Sequence, residues 1–140
     1  MSLEKYILYV DDDPDDSDLL ADAIGGYQNQ VKVVCLDSGE SAINYLKNSA
    51  ASNRLPLLII LDINLPRING KLLFSNIKEL VPNESISYLF FTTSLDNENI
   101  IELEGKGITV LKKPNTVSGY QNVAFTILDM FFPDVALLSE

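Results

Sequence analysis

The prediction of the fold starts from the stretch Leu57-Leu58-Ile59-Ile60-Leu61-Asp62-Ile63-Asn64-Leu65-Pro66. Five consecutive aliphatic residues lead directly into the carboxylate of Asp62. An unbroken apolar run of this length, without polar alternation, predicts a strand that is buried on both faces of a parallel sheet. In open α/β sheets, ligands and chemistry are found at the carboxyl ends of the strands. The stretch therefore predicts that Asp62 lies at a functional edge of the sheet.

The length and the charge of the chain limit its functional class. A chain of 140 residues predicts a single domain, 1–140, with a core from about residue 5 to 132 and a tail, 133–140. The net charge of −10 argues against nucleic-acid binding, which needs a basic face. The chain has no histidine, which excludes Ser-His-Asp triads, histidine metal ligands and histidine general bases.

The compartment is predicted from what the sequence lacks. It shows neither a signal-peptide pattern nor an apolar run approaching the ~20 residues of a membrane span, so we expect a cytoplasmic protein without a membrane partner. The only cysteine, Cys35, excludes an internal disulfide and is expected to be a small buried core residue.

Short apolar runs alternate with helical patterns along the chain. The predicted strands are Lys5–Val10, Val31–Leu36, Leu57–Leu61, Ile86–Phe91 and Ile108–Leu111. Five strands alternating with five helices predict a parallel sheet covered on both faces. The flavodoxin-like order 2-1-3-4-5 competes with the Rossmann type, and the absence of Gly-x-Gly-x-x-Gly favours the first. We therefore expect a doubly wound, flavodoxin-like α/β fold.

Helix ends are predicted from local signals. Asp13 is the expected N-cap of the first helix, with Pro14 in its first turn, and Gly25-Gly26 is expected to end it. Two further helix starts resemble capping boxes, Asp37 with Glu40 and Ser118 with Gln121. The segment Asn48–Pro56 is expected to be a polar connection, and Asp96–Glu104 a short polar helix.

The predicted strand order brings three carboxylates together. Its switch point lies between strands one and three, which end in Asp11-Asp12 and in Asp62. Clustered carboxylates repel one another unless a cation compensates them, and Mg²⁺ prefers oxygen ligands and commonly bridges carboxylates to a phosphoryl group. A carboxylate can itself be the nucleophile of phosphoryl transfer. The cluster thus predicts Mg²⁺ beside a phosphoryl site.

The next two strands end in groups that suit the same chemistry. Thr92 offers a hydroxyl and Lys113 an ammonium, both able to neutralise charge on phosphoryl oxygens. The Lys113–Pro114 bond is also one that can adopt the cis form. Each residue alone is a weak signal, but their joint placement at strand ends is hard to obtain by chance.

These motifs resemble those of a response-regulator receiver domain, the phosphoacceptor of two-component signalling. The resemblance covers Lys5 to Phe132 and is carried by four segments: Val10-Asp11-Asp12-Asp13-Pro14, Asp62-Ile63-Asn64-Leu65-Pro66 with Gly70, Thr92-Thr93-Ser94, and Lys113-Pro114. The long segment before strand three and the Thr-Thr-Ser run are most similar to stand-alone receivers associated with bacterial phytochromes.

The resemblance implies a role for each matching residue. Asp62 would accept the phosphoryl group, while Asp12 would bind Mg²⁺ directly and Asp11 partly through water. The backbone carbonyl of Asn64 would be the remaining protein ligand of the metal. Thr92 would bond to the phosphoryl oxygen, and Lys113 would pair with Asp62 and then with the phosphate. The side chains of Asn64 and Ser94 would tune hydrolysis.

The resemblance also implies partners. The phosphoryl donor would be a phosphohistidine of a sensor kinase or a phosphotransfer protein, so the chain would be no enzyme beyond phosphotransfer to Asp62 and its hydrolysis. Because no DNA-binding segment follows, we expect signalling by protein contact, including a homodimer through the face Asp96–Phe132. Val110 stands where the family usually has an aromatic switch residue, which predicts little change at strand five on phosphorylation.

Three other functions compete with this interpretation. An aspartate-nucleophile phosphohydrolase needs a second acid where Asn64 stands. A calcium loop starting at Asp11 would have Pro14 inside it and Asp16 in the glycine position. A pseudo-receiver that binds proteins without phosphorylation would not need the full set of site residues that the sequence contains.

Overall fold

The computed structural model describes residues 3–93 and 96–138 of the chain. Its five strands and five helices alternate strictly. The strands are β1 (Leu3–Val10), β2 (Lys32–Leu36), β3 (Leu55–Leu61), β4 (Ser87–Thr92) and β5 (Thr109–Lys112). The helices are α1 (Pro14–Tyr27), α2 (Gly39–Ala51), α3 (Gly70–Leu80), α4 (Asn97–Gly105) and α5 (Val117–Phe131).

The strands form one parallel sheet in the order β2-β1-β3-β4-β5. This confirms the flavodoxin-like fold that the sequence predicts. The central strand β3 is buried on both faces, as its unbroken apolar run requires. Its alternate side chains enter two separate cores: Ile59 and Leu61 pack beneath α2 and α3, whereas Leu58 and Ile60 pack beneath α1 and α5.

The first helix begins as predicted but ends later. The carboxylate of Asp13 accepts hydrogen bonds from the backbone of Asp15 and Asp16, which confirms the N-cap. The prediction that Gly25-Gly26 ends α1 was wrong, because the helix continues to Tyr27. Tyr27 packs on Phe125 of α5, with ring centroids 5.9 Å apart, and this contact favours the extra turn. Tertiary packing thus overrides the low helix propensity of glycine.

Two other predicted helix starts were displaced. Ser38, not Asp37, caps α2, and its hydroxyl accepts a hydrogen bond from the backbone of Ser41. Thr116, not Ser118, caps α5 in the same way, with Gly119 as the donor. In both cases the hydroxyl of a nearby residue accepts one of the free N–H groups of the first turn, so nearby residues compete for the cap.

The segment expected to be a polar connection, Asn48–Pro56, is mostly ordered secondary structure. Helix α2 extends to Ala51, since Ser49 is buried and Ala50 packs on the core. Strand β3 then starts at Leu55, which pairs with Leu3 of β1. The connection therefore shrinks to three residues, Ser52–Arg54.

Several smaller features can also be compared with the sequence. Cys35 is exposed rather than buried, because β2 is an edge strand. The Lys113–Pro114 peptide bond is trans. Leu72 and Leu80 of α3 are exposed, whereas Leu73 and Ile77 are fully buried. Among the residues that the structure describes, no helix combines the length and the apolar character that crossing a bilayer requires.

Candidate functional site

Strand register places two carboxylates side by side at the carboxyl edge of the sheet. Val10, the last residue of β1, pairs with Leu61, the last residue of β3. The next residues, Asp11 and Asp62, extend the ladder by one step, since the amide of Asp62 donates to the carbonyl of Val10 at 3.3 Å. Their side chains therefore leave the core at the same level.

Asp12 completes an acidic cluster with these two residues. One carboxylate oxygen from each of Asp11, Asp12 and Asp62 lies within 4.8 Å of the other two. Asp11 and Asp62 are buried, whereas Asp12 is exposed. The cluster therefore has a protein-enclosed side and a solvent-facing side. An all-oxygen anionic donor set of this kind fits a hard divalent cation that retains several waters, as Mg²⁺ does.

Lys113 inserts its ammonium among the carboxylates. Its Nζ atom lies 2.8 Å from Oδ2 of Asp62, 2.5 Å from Oδ2 of Asp11 and 2.9 Å from Oδ2 of Asp16. Burial alone would lower the pKa of Lys113, but hydrogen bonds with these carboxylates raise it above its ordinary value. The ammonium is therefore charged, and it compensates part of the negative charge of the cluster.

Asp11 is held by donors on three sides. It accepts a hydrogen bond of 2.6 Å from the hydroxyl of Tyr9 and one of 3.0 Å from the amide of Asp13, besides its ion pair with Lys113. Burial raises the pKa of Asp11, and the bonds with Lys113 and Tyr9 oppose that rise. Burial also raises the pKa of Tyr9, as does the adjacent charge of Asp11. Tyr9 is thus a fixed neutral donor beneath the site.

The loop after β3 fixes the carboxylate of Asp62. Its Oδ1 atom accepts a hydrogen bond of 3.0 Å from the amide of Asn64, while Oδ2 pairs with Lys113. The loop then turns back so closely that the amide of Gly70 bonds to the carbonyl of Ile63 at 2.7 Å. A Cβ atom on Gly70 would lie 2.1 Å from the backbone oxygen of Asp62. Only glycine fits there, and this explains Gly70 in the sequence motif.

Thr92 lies at the next strand end, as predicted. It is fully buried, and its hydroxyl accepts a long hydrogen bond of 3.5 Å from the side-chain amide of Asn64. The amide of Lys113 donates to the carbonyl of Thr92 at 2.8 Å, so the ends of β4 and β5 are joined. Ser94, expected to act beside Asn64, lies outside the described residues.

Val110 occupies the predicted position on β5. It pairs in register with Phe90 of β4 and is half-buried against the core beneath α2 and α3. The small conformational change expected at this strand stays a prediction.

The sequence analysis did not assign two residues, Asp16 and Tyr120, to the site. Asp16 binds Lys113 through Oδ2 and accepts a 3.0 Å hydrogen bond from the hydroxyl of Tyr120 through Oδ1. The sequence analysis considered Asp16 at the glycine position of a possible calcium loop, and not as a partner of Lys113. Tyr120 is 104 residues further along the chain, and no motif connects the two positions. Only the packing of α1 against α5 reveals their contact.

Comparison with known proteins gives results that agree with this geometry. Residues 7–135 match the family model described as "Response regulator receiver domain". The chain is 28% identical to the response regulator Rcp1 of Synechocystis sp. over 99 residues, which are 69% of this chain and 67% of that protein.

Solved structures resemble the whole fold. The crystal structure of the phosphorylated cyanobacterial phytochrome response regulator RcpA superposes with a TM-score of 0.81 and 24% identity, covering 97% of this chain and 99% of that one. The Mn²⁺-bound form of Rcp1 superposes with a TM-score of 0.78 and 25% identity, covering 96% and 99%. The receiver-domain resemblance predicted from the sequence is confirmed, and the fold is similar to that of a phytochrome response regulator.

Proposed function

Because the chain belongs to the response regulator receiver domain family, whose members are phosphorylation-accepting regulators of two-component systems, we propose that it receives a phosphoryl group on Asp62. The observation that carries this proposal is the convergence of Asp11, Asp12, Asp62 and Lys113 on one edge of the sheet. Asp62 accepts a backbone amide through Oδ1 and pairs with the ammonium of Lys113 through Oδ2, which orients its two oxygens.

The reaction is a transfer between two proteins. An oxygen of the Asp62 carboxylate attacks the phosphorus atom of a phosphohistidine on the donor. The P–N bond breaks, its electron pair returns to the imidazole, and an acyl phosphate forms on Asp62. Hydrolysis later breaks the acyl phosphate and returns the carboxylate with inorganic phosphate.

Residues around Asp62 stabilise the charge that this transfer moves. Lys113 already contacts Asp62, and its ammonium would follow the negative charge onto the phosphoryl oxygens. Thr92, whose hydroxyl oxygen accepts the side-chain amide of Asn64, would supply its O–H group as a donor. Both roles are proposals that rest on the position of these groups at adjacent strand ends.

We propose that Mg²⁺ is held by Asp11, Asp12, Asp62 and the backbone carbonyl of Asn64. The exposed face of the cluster leaves room for the water ligands that this ion keeps. Mg²⁺, when bound, supplies positive charge that offsets the repulsion between the carboxylates and an incoming phosphoryl group. The crystal structure of the Mn²⁺-bound form of Rcp1, a relative of this chain, supports a divalent cation here.

Receiver domains interact in general with sensor kinases or phosphotransfer proteins. We propose such a partner for this chain, and the likeness to RcpA, a phytochrome response regulator, favours a kinase of the phytochrome class. Contact with a target, or with a second copy through the face Asp96–Phe132, would transmit the signal. Ile101 and Val117 on that face are exposed apolar residues suited to such a contact.

Two of the rival functions lose support from the geometry. The position that a phosphohydrolase would fill with a second acid holds Asn64, whose side chain donates to Thr92. The proposed calcium loop does not form, because Pro14 begins helix α1 and Asp13 caps it. The pseudo-receiver alternative is left for experiment.

Intact-protein mass spectrometry tests the proposal. Incubation with acetyl phosphate and Mg²⁺ should add one phosphoryl group to the wild type and none to Asp62→Asn. Asp15→Asn, which removes an exposed carboxylate from the same acidic segment, is the matched control and should be labelled as the wild type is. Labelling of Asp62→Asn would mean that another residue accepts the phosphoryl group. No labelling of the wild type by acetyl phosphate or by a phosphohistidine donor would favour the pseudo-receiver.

A further inference from the structure

Lys113 has one carboxylate partner that the metal cluster does not use. The clustered oxygens belong to Asp11, Asp12 and Asp62, and two of these residues also pair with Lys113. The third partner of Lys113 is Asp16, at 2.9 Å. An ammonium has three N–H donors, so these three carboxylates use its full bonding capacity.

Asp16 is itself fixed by a second contact. Its other oxygen accepts the hydroxyl of Tyr120, whose ring is buried and packs edge-on against Phe91, with centroids 5.9 Å apart. Both oxygens of Asp16 are therefore engaged, one by Lys113 and one by α5. The backbone amide of Asp16 also bonds to the N-cap Asp13, and its negative charge is favourable in the first turn of α1.

This arrangement has a consequence for phosphoryl transfer. Binding of a cation and a phosphoryl group would change the charge and the free oxygens of Asp11 and Asp62, and hence their bonds to Lys113. Asp16 is not among the residues whose bonds to Lys113 would change in this way. A lysine side chain is a flexible four-carbon stem, which keeps one position only while fixed partners hold its end.

We propose that Asp16, held by the hydroxyl of Tyr120, is a positioning residue that keeps the ammonium of Lys113 beside Asp62 during phosphoryl transfer. The proposal rests on the proposed function insofar as Asp62 is the phosphoacceptor. It assigns to α1 and α5 an indirect part in the chemistry, because one carboxylate and one phenol act on it through Lys113.

The simpler explanation is that Asp16 only stabilises the start of α1. Asp15, the preceding residue in the same first turn, would do this equally well, but it is exposed and has no ion pair with Lys113 in the described structure. Asp15→Asn is therefore the matched control for Asp16→Asn. Tyr120→Phe removes only the hydroxyl and retains the buried ring, so it tests the second half of the arrangement.

The first measurement reads the ammonium directly and needs no phosphorylation. Hydrogen exchange of the Lys113 ammonium, followed by NMR in ¹⁵N-labelled protein, should accelerate on the order of tenfold in Asp16→Asn, as expected for the loss of one bond to a charged group. Tyr120→Phe should accelerate it to a smaller extent, and Asp15→Asn should leave it unchanged. Equal exchange in wild type and Asp16→Asn would overturn the proposal.

The second measurement is a double-mutant cycle on the rate of phosphorylation by acetyl phosphate at saturating Mg²⁺. Asp16→Asn should slow labelling on the order of tenfold in the wild-type background and have no further effect in a Lys113→Ala background. An equal slowing in both backgrounds, or none in either, would overturn the role of Asp16. A wild type that accepts no phosphoryl group would instead overturn the proposed function, and the transfer role with it.

Discussion

At the scale of single residues, the site combines buried charges with buried phenols. Tyr9 and Tyr120 donate to Asp11 and Asp16, and both rings pack on Phe91. Each tyrosine satisfies a carboxylate without adding charge, because burial raises the pKa of both phenols. The carboxylates are thereby held in place, while their charge is balanced by Lys113 and, in the proposed function, by a bound cation.

Tyr88 provides a contrast, since within the described residues its buried hydroxyl has no hydrogen-bond partner. Burial raises the pKa of Tyr88 to about 12, from the ordinary value of 10.0. A raised pKa in the folded state means that the contribution of the neutral phenol is complete below about pH 10 and is lost as the pH rises towards 12. The associated loss of unfolding free energy is about 2–3 kcal/mol.

The Tyr88→Phe variant should therefore lose less unfolding free energy at alkaline pH than the wild type does. Urea unfolding between about pH 9 and pH 12 measures the difference between the two proteins. The other tyrosines are common to both, so they do not contribute to that difference. Near pH 7 the variant should be as stable as the wild type or up to about 1 kcal/mol more stable, because an unpaired buried hydroxyl is removed. Parallel pH profiles of the two proteins would contradict this prediction.

At the scale of elements, the strands were predictable and the helix ends only partly so. Five apolar runs and the absence of Gly-x-Gly-x-x-Gly predicted the sheet order. Because parallel strands share one carboxyl edge, the order then predicted that Asp11, Asp62, Thr92 and Lys113 lie together. Helix ends depend on competition between neighbours, as with Ser38 beside Asp37, or on distant packing, as with Tyr27 on Phe125. No local pattern contains that information, nor the pairing of Asp16 with Tyr120.

The start of α3 gives an element-scale prediction. Gly70→Ala should destabilise the protein by about 3 kcal/mol or more, since the new methyl group meets the backbone of Asp62 at 2.1 Å and the backbone cannot yield cheaply. Phosphorylation of Asp62 should slow as well, because the loop that orients its carboxylate must shift.

Gly26→Ala is the matched control for this substitution. Gly26 lies inside α1, and a Cβ atom there would meet nothing within 4 Å. Alanine should stabilise the helix by about 0.5–1 kcal/mol. Unfolding free energies of the two variants check both signs, and a Gly70→Ala protein as stable as the wild type would refute the close approach.

At the scale of the whole molecule, the chain after α5 closes the core beneath α1. Val135 is buried among the residues of that core, and the amide of Leu138 donates to the carbonyl of Tyr27 at 2.5 Å. Lys5 and Asp134 form an exposed ion pair. This part of the predicted tail therefore packs on the domain.

The tail should therefore contribute to stability through its apolar contact. Val135→Ala should lower the unfolding free energy by about 1–2 kcal/mol, as expected for the loss of buried methyl groups. Asp134→Asn should have no measurable effect, because its ion pair is exposed to solvent. Chemical denaturation of both variants measures the difference, and equal stabilities would contradict the packing of the tail.

From the net charge of −10 and the acidic cluster, we expect Mg²⁺ to raise the free energy of unfolding of the protein. Once its concentration exceeds the dissociation constant, each tenfold increase should add about 1.4 kcal/mol to the unfolding free energy. Asp12→Asn should lose most of this gain and Asp15→Asn should keep it, whereas chelation of the metal should abolish it in all three proteins. A gain of equal size in Asp12→Asn would point to non-specific screening of charge.

The most direct test of the central claim, that one acidic cleft holds a metal beside a phosphorylatable aspartate, is a crystal structure with Mg²⁺ and beryllofluoride. We expect beryllofluoride on a carboxylate oxygen of Asp62 and Mg²⁺ shared by Asp11, Asp12 and Asp62, with Lys113 beside the fluorides. A structure with beryllofluoride on another residue, or with these three carboxylates beyond the reach of a single ion, would contradict the account.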